Sequence, residues 1–166
     1  AYMNLAGAYR ETNQNSEALM VLNNLVILAP DNPKVYLRLA DVHIALEEYS
    51  KATENANKAI EIDADLYDSY RVLASIHQKI GYNKYEKFLD YEELYKDKSV
   101  YYGEKADELV EKRDKVKAEA NTNFKKAEYY LSETEKRTDK DAVINDIKRT
   151  RVTLKQLKEA TKSGGF

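Results

Sequence analysis

One spacing governs this chain. Tyr2, Tyr36 and Tyr70 lie 34 residues apart, and so do Leu5, Leu39 and Leu73, and Ala6, Ala40 and Ala74. Tyr9, His43 and His77 keep the same register, as do Ala18 with Ala52, and Leu25 with Ala59. Self-similarity at a period of this length means one supersecondary unit stacked repeatedly on its neighbour.

The unit can be read from its residues. Tyr2, Leu5, Ala6 and Tyr9 are three and four apart, so they share one face of a helix. Asn13, Gln14 and Asn15 break that run. Ser16 is placed to cap a second helix whose apolar face is Ala18, Leu22 and Leu25. The stretch from Ala29 to Pro33 ends it, because Pro30 lacks an N–H and Pro33 pushes Asn32 into extended backbone. Ala6 and Ala18 allow the two helices to approach closely. The second unit repeats the scheme with Tyr36, Leu39, Ala40 and His43, a turn near Glu47 and Glu48, then Ala52, Ala56 and Ala59. The third opens with Tyr70, Leu73, Ala74 and His77, and Gly81 is the expected turn. Beyond it the register decays: Glu86 stands where Ala18 and Ala52 stood, although Tyr85, Phe88, Leu89, Tyr91, Leu94 and Tyr95 still mark an apolar helical face. An atypical closing pair is expected of a terminal repeat.

The order aromatic, Leu, small, aromatic, then a second small residue, closed by Pro30, resembles the tetratricopeptide repeat over roughly the first 80 to 95 residues. The resemblance implies an all-α, right-handed α-solenoid. Three helix pairs are expected over residues 1–97, with the first truncated at its start and the third atypical. Long C-terminal helices would cap or extend the array over 98–162, ahead of a flexible tail at 163–166. Such arrays bind a peptide or protein segment on a concave face lined by the first helix of each unit. On this chain the residues offset toward that face are Met3, Gly7 and Arg10, then Leu37, Arg38, Asp41 and Ile44, then Arg71, Ser75 and Gln78. Some members grip a terminal carboxylate through Lys and Asn at these sites. Here Met3 and Gly7 stand in the first such positions, and Asp41 is acidic. A mixed groove, apolar around Leu37 and Ile44, suits an amphipathic helix or an extended segment.

In the C-terminal half, Val100, Tyr101, Ala106, Leu109, Val110, Val116, Ala120, Phe124, Ala127 and Leu131 extend an amphipathic pattern, with no Gly or Pro between Gly103 and Gly164. It fits one long helix, or two parted near Asn121, Thr122 and Asn123. After a break at Thr138 to Lys140, a last helix carries Val143, Ile144, Ile147, Val152, Leu154 and Leu157, with Asp139 or Asp141 as its cap. A hairpin over 99–161 that covers the array would bring Tyr85, Phe88 and Leu89 to Leu109, Val116 and Phe124.

Other chemistries find little support. The two histidines, His43 and His77, are spaced by the repeat period and replace Tyr9, which accounts for them without a metal. Asp63, Asp65 and Asp68 fail as a calcium loop, since Asp68 and Ala74 stand where a Gly and a Glu are required. Tyr101–Tyr102 and Tyr129–Tyr130 read as helix-face aromatics before they read as partner contacts. No nucleophile with a base and no phosphate-cradling loop is present, so neither an enzyme nor a cofactor is expected. The last helix is basic through Lys148, Arg149, Arg151, Lys155, Lys158 and Lys162. That pattern fits a solvated face, or phosphates or an acidic partner.

Net charge is −2 over 166 residues, with 7 basic and 11 acidic residues in 1–81 and 20 and 18 in 82–166. Neither balance implies nucleic acid. Without Cys there is no disulfide, and a cytoplasmic or a periplasmic setting fits equally. No membrane span is expected. Residue 1 is Ala and already lies inside a predicted helix, so a preceding segment with further repeats is expected. The leading reading is a protein-binding scaffold. The alternatives are a subunit assembling through its C-terminal helices, as a homo-oligomer for instance, and nucleic-acid or acidic-partner binding through the last helix.

Overall fold

The breaks at Asn13 to Asn15, at Ala29 to Pro33 and near Glu47 each end a helix in the computed structural model, which describes residues 2–96 and 104–163. Among these residues there are seven α-helices and no strand: α1 (Tyr2–Glu11), α2 (Asn15–Leu28), α3 (Pro33–Ala45), α4 (Tyr49–Ile62), α5 (Tyr67–Lys96), α6 (Glu104–Lys136) and α7 (Asp141–Ser163). The fold is all-α, as the periodicity requires. Tyr101, Tyr102 and the tail 164–166 lie outside the described residues.

The chain forms two compact units, Ala1–Ile76 with Tyr130–Asp139, and His77–Tyr129 with Lys140–Phe166. In the first, α1 packs on α2, α2 on α3, α3 on α4, and α1 also meets α3. The small-residue seams are sealed: Ala6 and Ala18 share a core with Leu22, Val35, Leu39 and Val42, and Ala40, Ala52, Ala56 and Ala59 are buried as well. Alanine at these positions removes side-chain bulk from between the helices, so backbones come close and dispersion contacts are dense.

The turns inside the pairs are copies of one motif. Gln14 N–H donates to the Tyr9 carbonyl at 2.8 Å and Asn13 N–H to Arg10 at 3.1 Å. In the second helix pair Glu48 N–H donates to the His43 carbonyl at 2.8 Å and Glu47 N–H to the Ile44 carbonyl at 3.1 Å. These are Schellman caps, and the residue they hold in the left-handed region is Asn13 (φ 58°) in one and Glu47 (φ 57°) in the other. Ser16 is not the cap of α2; it lies inside the helix, and the cap position is Gln14, with no side-chain hydrogen bond. Asn32 does cap α3: it is extended, its side chain accepts from Lys34 N–H at 3.1 Å, and Pro33 occupies the first helical position.

The turns between pairs are also copies. The Tyr36 hydroxyl donates to the Pro30 carbonyl at 2.9 Å, and the Tyr70 hydroxyl to the Ala64 carbonyl at 3.0 Å. Arg137, just past the end of α6, joins the second of these. Its Nε donates to the same Ala64 carbonyl at 3.0 Å, its guanidinium lies 4.0 Å over the Tyr70 ring, and Glu133 holds it at 2.7 Å.

The expected turn at Gly81 is absent: α5 runs unbroken from Tyr67 to Lys96. A glycine within a helix costs only about 1 kcal/mol against alanine, which neighbours readily offset. Here it makes room. A β-carbon at Gly81 would stand 2.6 Å from two ring carbons of Phe124 and 3.3 Å from the Ala120 carbonyl oxygen. α6 is likewise one helix through Asn121, Thr122 and Asn123.

Within the second unit α5 and α6 run antiparallel. His77 meets Asn123, Lys84 meets Glu119 at 2.5 Å, and Glu92 meets Arg113 at 3.2 Å. Phe88 is buried beneath the Lys117 ammonium, 5.4 Å from the ring centroid. Leu89 and Leu94, expected on the packed face, are exposed. The packed stripe of His77, Gly81, Lys84 and Phe88 leaves them about a quarter-turn or more away. α7 lies along α6 through Lys158 with Glu128 and Thr161 with Asn121, the latter at 2.9 Å. Ile147, Leu154 and Thr161, seven apart, form its buried stripe, and Val152 is exposed off that stripe.

Candidate interaction face

The first helices of the repeat units carry the proposed binding residues, and the first unit holds all of them except Gln78, which is half-buried in the second. Arg10, Arg38 and Arg71 are exposed; Met3, Gly7, Asp41, Ile44 and Ser75 are half-buried. Leu37 departs from expectation. It retains 8% of its surface and does not project into solvent. α3 meets α1 as well as α2 and α4, so a side that a lone helix would leave open is covered.

With Leu37 withdrawn, charge dominates the face. Asp41 sits at its centre with the Arg38 guanidinium 3.6 Å away. Burial pushes the Asp41 carboxyl above the usual carboxylate range, while Arg38, Arg10 and Arg71 pull it down and Asp68 pushes it up. Three cations from three successive first helices therefore act on one half-buried carboxylate. Asp68 takes part of the Arg71 charge through a 3.0 Å bond to its Nε. Arg38 and Arg71 keep about half of their side-chain surface open to solvent. The arrangement can receive carboxylates, which guanidinium groups bind through paired N–H donors.

Each histidine is engaged by a polar side chain. His43 Nδ1 lies 2.7 Å from Glu48, which also accepts from Lys51 at 2.8 Å. His77 Nδ1 lies 2.9 Å from Asn123. Burial lowers the His77 pKa, its bond to Asn123 raises it, and Lys126 lowers it again. Among the described residues no cluster of three or more His, Asp or Glu could hold a metal, and no helix is long and apolar enough to cross a membrane. On α7, Lys158 is engaged by Glu128 while Lys148, Arg149, Lys155 and Lys162 face solvent.

Sequence reasoning missed Arg137. No local pattern marks it, because both its ring partner and its carbonyl partner lie more than 60 residues away in the chain.

These helix pairs define a class. Residues 9–76 match the family model of the tetratricopeptide repeat. A solved structure from Bacteroides ovatus, provisionally named a protein-binding protein, superposes with a TM-score of 0.61 at 15% identity, over 96% of this chain and 73% of that one. At that identity the likeness concerns the fold. No curated protein matches the chain in sequence.

Proposed function

We propose that the protein is an interaction scaffold that receives an acidic segment of a partner protein on its first-helix face. Arg10, Arg38 and Arg71 supply the donors, and Ile44 and Met3 supply apolar contact beside them. The observation that carries this reading is the Arg38–Asp41 pair at 3.6 Å, with Arg10 and Arg71 also drawing the Asp41 carboxyl down. Tetratricopeptide arrays serve in general as platforms for protein segments, and the provisional name of the structural neighbour agrees with that use. Asp41 limits affinity, since it competes with the incoming carboxylates for the same guanidinium groups.

The test uses a fluorescent peptide of alternating Glu and Leu and its Lys-for-Glu counterpart. Arg10→Ala with Arg71→Ala should weaken binding of the acidic peptide by about tenfold, the loss of one to two charge-assisted bonds. Asp41→Asn should strengthen it. Equal binding of the two peptides, or no response to either variant, would refute the reading. Leu37 is unsuitable for this test, because a charge placed there would be buried.

A further inference from the structure

The outer side of α1 and α2 is apolar and open. Tyr2, Leu5, Val21, Leu25, Ile27 and Leu28, with Asn24, line a groove of about 380 Å³. The internal repeat shows what such a surface carries. Leu5 is 42% exposed, but its register mates Leu39 and Leu73 are 4% and 0% exposed. Leu39 is covered because α2, the second helix of the unit before it, lies on α3. Tyr2 is 60% exposed, whereas Tyr70 is 8% exposed. Both later tyrosines donate to a carbonyl six residues upstream, Tyr36 to Pro30 and Tyr70 to Ala64, and these acceptors are themselves one period apart. Each acceptor lies two residues past the end of a second helix, α2 or α4.

We infer that the face of Tyr2, Leu5, Val21, Leu25 and Leu28 is a stacking surface for the second helix of one more repeat unit, joined directly ahead of it. The occupant is an amphipathic helix with the stripe of α2. It lays its Leu positions against Leu5 and Leu25, and the turn that follows it presents a carbonyl to the Tyr2 hydroxyl. Such a helix needs an apolar face with a single phenol, which the groove supplies. This groove is separate from the arginine face.

The probe is a second copy of residues 15–34 fused ahead of Ala1, which continues the 34-residue register and sets the copied Pro30 carbonyl six residues before Tyr2. Hydrogen exchange of the α1 amides should slow by about tenfold or more relative to the unfused chain. Tyr2→Phe in the fusion should return part of that protection. The same fusion with Leu22→Asp and Leu25→Asp in the copy should give none. Equal exchange in the apolar and the Asp fusions would overturn the inference. So would self-association of the unfused chain that Leu5→Asp abolishes, because the surface would then be occupied by a second copy.

Discussion

The Phe124 ring rests on the backbone of Gly81, so close that a β-carbon there would stand 2.6 Å from two of its carbons. The residue that reads as a turn is therefore a point of helix contact. Gly81→Ala gains helix propensity, about 1 kcal/mol, but must displace a ring that is fully buried. Overpacking costs of about 1–3 kcal/mol are typical. A lower melting temperature is expected, restored in part by pairing Gly81→Ala with Phe124→Leu. A rise in the single variant would show that the ring moves freely.

Glu47 holds φ 57° as the residue after a helix end, a conformation that Asn13 adopts one period earlier. Asn adopts the left-handed region at lower cost than Glu. Glu47→Asn should stabilise the protein by about 0.5–1 kcal/mol, read as a higher urea midpoint at unchanged slope. Asn13→Glu should cost a similar amount.

Ala40 is wholly buried where α3 meets α4. Ala40→Phe should destabilise the protein by about 1–3 kcal/mol or more, since the seam has no space for a ring. An unchanged melting temperature would contradict the packing of the pair.

Burial is the largest influence on His77, and it holds the folded-state pKa below the usual value. The unfolded chain then takes up a proton first as pH falls. The stability tied to the neutral ring is complete above the unfolded pKa, about 6.5, and declines below it until the folded pKa is reached. His77→Gln, which can keep a bond to Asn123, should flatten the stability profile as pH falls below about 6.5. Identical profiles for the two proteins would contradict the burial argument.

Arg137 binds a turn and an aromatic ring at once. Arg137→Lys keeps the charge but loses the planar stacking and the fork of donors to Ala64 and Glu133. A loss of about 1–2 kcal/mol is expected. Tyr70→Phe should cost less, about 1 kcal/mol, because Arg137 still satisfies the Ala64 carbonyl. Chemical denaturation of both variants checks the order.

Primary structure alone specifies the parts of this protein that local chemistry controls. Apolar spacing of three and four set the helices, the alanines at 6, 18, 40 and 52 set the close pairs, and Asn32–Pro33 set the start of α3. It also determined the repeat, because each unit meets the same neighbour in the same way. Three features depend on packing between distant segments. Gly81 lies within a helix because Phe124, 43 residues on, fills the space its missing side chain leaves. Leu37 is buried because α1, α2 and α4 all meet α3. Arg137 closes the turn before α5 because α6 is continuous as far as Lys136, bringing it to Tyr70. In each case the deciding partner is distant in the chain, and spacing along a sequence reports neighbours on one helix, not neighbours across space.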